Sequence, residues 1–279
     1  MAYQNFIPEV WIDDIQRQLE RNHIFVGDCN QQYTGKVKQR GDSVRILGVG
    51  KPTITTIGAK TFNGLEAPET VEDSSTLMYI DQMSHFNYGV GDIDEIQAVG
   101  GVMEALNREA AEGIADAQDR FVAAMAADKQ AVKLTGSPVE LTKDNILEHF
   151  DLGLQKLWEN DVKRSTKIII NINPAIERIF KQAFIAKDTD NSDILANGAH
   201  YKYGGAYIKV SNNLYTSGAN NAASIMFRTQ RAIAFACPKI HIEPYRVEAD
   251  FKDAVKGFAL YGGKLVRPKE LVVLNGYVA

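Results

Sequence analysis

The stretch DIDEIQAVGGVMEALNREAAEGIADAQDRFVAAMAADK, residues 92–129, carries the strongest periodic pattern in the chain. Within it Ile96, Val99, Met103, Leu106, Ala110, Ile114, Ala117, Phe121 and Met125 follow at steps of three and four. That is the 3.6-residue period of a helix with one apolar face. Glu104, Arg108, Glu112, Asp116 and Asp119 lie off the stripe, and Asp92 with Glu95 has capping-box spacing. A helix over this stretch has roughly 33 residues and, at ~1.5 Å each, a length on the order of 50 Å. Helices in compact domains average roughly 10–14 residues. The stripe drifts and lacks a clean a/d heptad, so a dimeric coiled coil is the weaker reading. The element reads as a structural spine.

Downstream, two shorter helices are predicted. One covers about Thr142 to Asn160, with Ile146, Leu147, Phe150, Leu154, Leu157 and Trp158 inward. The other begins at Asn173, an N-cap residue followed by Pro174 at the first helical position, and carries Ile176, Ile179, Phe180 and Phe184. Between them Ile168–Ile172 reads as a buried strand. Residues 187–203 are polar and glycine-bearing and read as a loop. Strands are then predicted at Tyr207–Val210, Ile225–Phe227, Ala232–Ala236, Ile240–Ile242, Val255–Leu260 and Leu271–Leu274.

Upstream, residues 1–34 read as an arm, in which Trp11, Ile15 and Leu19 recur at helical spacing before the Gly27–Gly35 stretch breaks the pattern. A short helix with one apolar stripe and little chain around it buries that stripe either on its own domain or on a neighbouring subunit. Residues 36–90 read as β structure around a long excursion: Val44 and Ile46, then Ile54 and Thr56, then Leu77, Tyr79 and Asp81 alternate. Gly58, Asn63, Gly64 and Pro68 punctuate the excursion. Its first leg is basic (Lys36, Lys38, Arg40, Arg45, Lys51, Lys60) and its return leg acidic (Glu66, Glu69, Glu72, Asp73, Asp81). Such legs pair with each other, with solvent, or with other chains.

Composition narrows the function classes. The chain has 279 residues, 45% hydrophobic and 24% charged, with ample apolar content for a core. Apolar runs such as Ile168–Ile170 fall far short of the ~20 residues of a membrane span. Met1–Val10 shows no basic region followed by an apolar stretch, so no secretion signal is visible. Cys29 and Cys237 are far apart and read as free thiols. Gripping nucleic acid by phosphate neutralisation calls for a basic excess. The net charge here is −4, so DNA near this chain is not held tightly.

No catalytic or cofactor motif emerges. Gly48, Gly50 and Lys51 resemble a fragment of a phosphate-binding loop, but Arg45 and Pro52 stand where a glycine and a Ser or Thr are required. A turn is the better reading. The five histidines form no H-x-x-x-H pair, the cysteines no C-x-x-C, and no serine sits in a G-x-S-x-G elbow. No catalytic, cofactor or metal site is therefore expected.

Four stretches carry a resemblance to the major capsid proteins of tailed double-stranded DNA phages. Asn5-Phe-Ile-Pro-Glu-Val-Trp11 looks like the opening of their N-terminal arm, and Gly41-Asp-Ser-Val-Arg-Ile46 with Gly50-Lys-Pro-Thr53 like their extended-loop region. Asp92–Lys129 is similar to their spine helix. Glu243-Pro-Tyr-Arg246, Val255-Lys-Gly257, Tyr261-Gly-Gly-Lys264 and Arg267-Pro268 resemble their C-terminal part. The resemblance implies an α+β fold: an arm (1–35), an extended hairpin loop with flanking strands (36–90), a peripheral domain with the spine helix (91–130), an axial domain (131–240) and return strands of the peripheral domain (241–279). It implies a structural subunit, not an enzyme, that assembles as hexamers and pentamers into an icosahedral shell enclosing double-stranded DNA. The implied partners are a separate scaffolding protein, since the arm motif starts at residue 5, a portal and a decoration protein. The implied location is the virion, after assembly in the host cytoplasm. Trp11, Ile15, Arg40, Arg45, Lys60, Glu69 and Glu72 are the candidate subunit-interface residues, with pairing inside the loop as the competing reading of the charges. An encapsulin-like compartment shell enclosing cargo enzymes, or an uncharacterised α/β enzyme, are the alternatives.

Overall fold

The structure, a computed structural model, describes residues 23–34, 43–49, 54, 56, 73–91, 102–185, 202–247 and 252–278. The expected capping box at Asp92 and Glu95 lies outside these residues. Helices and sheets mix along the chain, as an α+β fold requires. Helix α1 spans Val102–Ala124, α2 Ile146–Glu159 and α3 Pro174–Ile185. A single 3-10 turn, Met125–Ala127, tightens the end of α1. The strands are β1 (Ser43–Val49), β2 (Asp73–Tyr79), β3 (Gln82–Gly91), β4 (Val132–Lys133), β5 (Val139–Glu140), β6 (Ile168–Ile172), β7 (Lys202–Tyr203), β8 (Ala206–Val210), β9 (Thr216–Ser217), β10 (Ala222–Thr229), β11 (Ile233–Arg246), β12 (Lys252–Leu265) and β13 (Leu271–Tyr277). Among the described residues no helix is long and apolar enough to cross a membrane.

The central sheet runs β4-β13-β10-β6-β8-β7, with β5 beside β13 and β9 beside β10. It is mixed: β10 is antiparallel to both β13 and β6, whereas β6 and β8 are parallel. One face packs under α2 and α3, where Phe150, Leu154, Ile176 and Phe180 meet Ile168, Ile170, Ile208 and Phe227. The ring of Phe150 lies 5.0 Å from that of Phe180 and 5.5 Å, edge on, from that of Phe227. A side chain at Gly153 would strike the Phe227 ring, its Cβ falling 2.8 Å away, so α2 approaches the sheet there as only glycine permits. The opposite face carries Met226, Leu271 and Val273 against Val122, Ala123 and the segment Phe25–Cys29. With both faces covered, β6 is buried at all five positions. Asn173 caps α3 as its sequence predicts: Ile176 N donates to Asn173 Oδ1 at 2.8 Å.

A second sheet, β11-β12-β3, lays Ile242, Val255 and Ala259 on Ala111, Ile114 and Ala115 of α1. The hairpin β1–β2 sits beside this sheet, burying Val44, Ile46, Met78 and Ile80 with Ala234, Ala236 and Leu260.

Three features differ from the sequence reading. The buried face of α1 and the 3-10 turn that ends it is Asn107, Ala111, Ile114, Ala115, Gln118, Asp119, Val122, Ala123 and Ala126, rotated from the expected stripe; Leu106, Phe121 and Met125 are the half-buried flank. Alanines let the helix lie close to the sheets, and the longer side chains fill the margins. Asp119, expected off the stripe, is 1% exposed. Secondly, the strands expected separately at Ala232–Ala236 and Ile240–Ile242 are one strand, β11, with a register shift between Ala236 and Lys239. The last strand, β13, lies inside the central sheet between β4 and β10, because its apolar run Leu271–Leu274 is covered on both faces only there. Thirdly, Gly48, read as part of a turn, pairs with Ser74 inside the hairpin.

Candidate functional site

Two described features adjoin in sequence the segments that hold the interface candidates: the root of the arm and the root of the long loop. At the arm root, Val26–Asp28 forms one 3-10 turn whose flanking residues Phe25 and Cys29 are buried. The start of a turn leaves backbone N–H groups without internal partners. Asp119, 95 residues away on α1, accepts them: Ile24 N donates to Oδ2 at 2.8 Å, and Phe25 N and Val26 N donate to Oδ1 at 3.1 Å each. The preceding residue, Gln118, meets the His23 ring at 2.8 Å. Consecutive residues of the spine helix thus grip four consecutive residues of the arm root.

The carbonyls of the same turn meet the opposite charge. Arg228 on β10 is fully buried; its Nη1 donates to Asp28 O at 2.8 Å and its Nη2 to Phe25 O at 2.9 Å. Its Nε donates to Asn171 Oδ1 at 3.1 Å, which fixes the plane of the guanidinium from β6. A carboxylate at the N–H end and a guanidinium at the C=O end match the dipole of the turn. Hydrogen bonds to charged groups are worth about 1.5–3 kcal/mol each where burial keeps water out. The segment is further stitched to β11, with Asn30 N donating to Ile233 O at 2.9 Å and Phe235 N to Asn30 O at 3.0 Å.

Asp28 extends the contact to the central sheet. Its carboxylate, 3% exposed, receives Lys167 Nζ at 3.0 Å and Lys209 Nζ at 2.5 Å. Burial pushes the carboxyl pKa up, but the hydrogen bonds and charges of Lys209 and Lys167 outweigh it and hold the group below the usual carboxylate range. Cys29 beside it is a free thiol whose pKa burial pushes up, so it is unreactive while the turn is seated. Cys237, also free, is half-buried, with its pKa raised by burial to about 11.

At the loop root, β1 and β2 pair antiparallel over seven residues, from Ser43 opposite Tyr79 to Val49 opposite Asp73. The hairpin backbone touches β12 where a side chain is impossible: a Cβ on Gly262 would lie 2.1 Å from Tyr79 O. The other face of the hairpin is open. Arg45 stands opposite Leu77 on that face, next to Tyr79, which is 55% exposed; farther along the excursion Ile54 is 87% exposed.

Of the seven candidate interface residues only Arg45 falls among the described residues; Trp11, Ile15, Arg40, Lys60, Glu69 and Glu72 lie outside them. The residues that sequence reasoning passed over are Asp119, Arg228 and Asp28. Asp119 could have been found: it stands four residues after Ala115 and three before Val122, on the alanine side of the helix. Arg228 closes the apolar strand Ala222–Phe227, a position that demands acceptors if the strand is central. Nothing local marks Asp28. Among the described residues no group of three or more His, Cys, Asp or Glu side chains is placed to hold a metal ion.

No protein-family model matches the chain, and no curated protein matches it. Solved structures do. The chain is similar to one from Mycobacterium phage Che8, with 26% identity over 91% of each chain and a TM-score of 0.76. It is similar to the capsid structure of cyanophage P-SCSP1u, with 15% identity, 92% of this chain and 87% of that chain covered, and a TM-score of 0.70. A virus-like particle from Pyrococcus furiosus matches with 14% identity, 96% and 98% coverage and a TM-score of 0.61. The chain has the fold of the tailed-phage capsid proteins.

Proposed function

We propose that this chain is the shell-forming subunit of a tailed-phage capsid, a structural protein that assembles with copies of itself around double-stranded DNA. The observation that carries the reading is the fold match to phage shells over nine-tenths of the chain. Physical features of the subunit support it. The hairpin leaves Leu77 and Tyr79 exposed beside Arg45, an apolar surface with a charge that copies of the chain would cover. The net charge of −4 fits a wall that encloses DNA without gripping it. In this reading the subunit divides into arm, extended loop, peripheral and axial domains, packs as hexamers and pentamers, and works with a separate scaffolding protein, a portal and a decoration protein. Assembly takes place in the host cytoplasm and the product is the virion shell.

Trp11, Ile15, Arg40, Arg45, Lys60, Glu69 and Glu72 are the residues assigned to subunit contacts. Arg45 has Leu77 directly across the hairpin, so its cross-strand neighbour is no acid. The test is direct. Purified protein is imaged by negative stain and sedimented over a wide concentration range; symmetric particles or capsomers are expected, and a stable monomer throughout overturns the reading. The contents of particles from infected cells separate a DNA-filled capsid from a compartment holding a cargo enzyme. Reversing Glu69 and Glu72 to lysine should lower assembly yield and leave the subunit's melting temperature nearly unchanged, because exposed pairs contribute only ~0–1 kcal/mol each to a single chain.

A further inference from the structure

We propose that Asp119 and Arg228 are positioning residues for the N-terminal arm: they seat Ile24–Asn30 on α1 and β10 so that the arm leaves the body at His23 in one direction. The proposal rests on the shell reading, in which an arm must reach the same place on every neighbour. Three observations carry it. First, both buried charges are directed at the backbone of this one turn, Asp119 through three N–H groups and Arg228 through two carbonyls. Apolar side chains in their place would hold the segment by area alone and leave its rotation free, since burial of apolar surface is non-directional. Hydrogen bonds at both ends of a turn fix its orientation.

Secondly, the grip sits toward the C-terminal end of the spine helix together with a second hold. Asp116 accepts from Asn213 Nδ2 at 2.8 Å and Arg120 Nε donates to Asn213 Oδ1 at 3.2 Å, so Asp116–Arg120 ties the loop after β8 as well as the arm root. The arm's exit is therefore referenced to both α1 and the central sheet. Thirdly, the Gly27–Gly35 stretch breaks the helical pattern of the sequence, yet Gly27 lies inside the turn and Asn30 is bonded to β11. The held stretch therefore begins at His23, whose ring meets Gln118.

Cys29 reports on the seat without a foreign probe, because it is buried in the turn and lies 3.5 Å from Arg228 Nη1. The experiment uses the full chain with Cys237→Ala, so that Cys29 is the single thiol. In this background Asp119→Asn is compared with Ile114→Ala, an apolar change at a buried position of the same helix that packs on Ile242, Val255 and Ala259 and not on the arm root. Concentrations of denaturant are chosen so that both variants are equally folded. Asp119→Asn is expected to raise the alkylation rate of Cys29 about tenfold, by local opening of the turn with the body folded. Its assembly yield per folded subunit is expected to fall about fivefold or more, while Ile114→Ala changes neither. Restoring the carboxylate one methylene longer, Asp119→Glu, should recover part of both. The proposal is overturned if Cys29 is as protected in folded Asp119→Asn as in the parent, or if assembly follows overall stability in both variants alike. Should Asp119→Asn not fold, Arg228→Lys is read by the same criteria. If the parent itself forms no particles the shell reading fails, while the Cys29 rates still decide whether Asp119 seats the turn.

Discussion

The core beneath α2 and α3 and the junction at the arm root are buried to the same degree and are held by different forces. Beneath the helices the buried cluster is made of apolar side chains, with Phe150 packed among Phe180, Phe227 and the ring of Tyr203. At the junction, Phe25, Val26 and Cys29 share their burial with Asp119, Arg228 and Asp28. Apolar packing tolerates small displacements, whereas a buried charge costs several kcal/mol unless its partners are in place. The first region therefore supplies stability. The second supplies a single geometry, and it does so where the chain enters from the arm.

This contrast can be broken by experiment, and the largest effect is expected in the apolar core. Phe150→Ala removes a ring that touches three others and should lower unfolding free energy by about 3–5 kcal/mol in denaturant titration, with little dependence on pH. Arg228→Met keeps length and apolar volume but removes the charged donor to the carbonyls of Phe25 and Asp28 and to Asn171 Oδ1; a loss of about 3 kcal/mol is expected from the same measurement. A neutral or stabilising result would mean that packing, and not charge, holds the junction. Phe121 sharpens the reading of the helix face. The expected stripe puts it fully inward, where Phe→Ala costs about 3–5 kcal/mol. Half-buried and edge-on to Tyr261 at 5.4 Å, it should instead cost about 2 kcal/mol.

The smallest effect concerns pH. Because the folded state holds the Asp28 pKa below its usual value, its contribution is fully present at neutral pH. It is lost as pH falls below about 4, the ordinary carboxylate range, and through the folded value. The two lysines are 46% and 36% exposed, so the contribution is at most about 1 kcal/mol. Asp28→Asn should flatten the acid limb of the stability profile by that amount and leave the limb above pH 7 unchanged. An acid limb as steep in Asp28→Asn as in the parent would assign it to other carboxylates.

Local pattern by itself determined the elements whose physics is local. A five-residue run with four isoleucines between turn signals can only be a buried strand or a piece of buried helix, and Ile168–Ile172 is the strand. Asn173-Pro174 starts a helix because the amide oxygen accepts the Ile176 N–H and proline needs no donor there. The period of residues 102–124 made the spine helix visible, and the order of short motifs along the chain pointed to the shell fold. Three things were left to the tertiary structure. Which side of α1 is buried depended on what it meets, and close approach to two sheets selected the alanines over Phe121 and Leu106. Alternation marked the hairpin strand but not its inner face, since Leu77 and Tyr79 are as apolar as Met78 and Ile80; seating on β12 at Gly262 made that choice. The pairing of Asp119 and Arg228 with a turn 95 and some 200 residues away has no local signature at all, because a buried charge is stable only beside partners that folding alone brings to it.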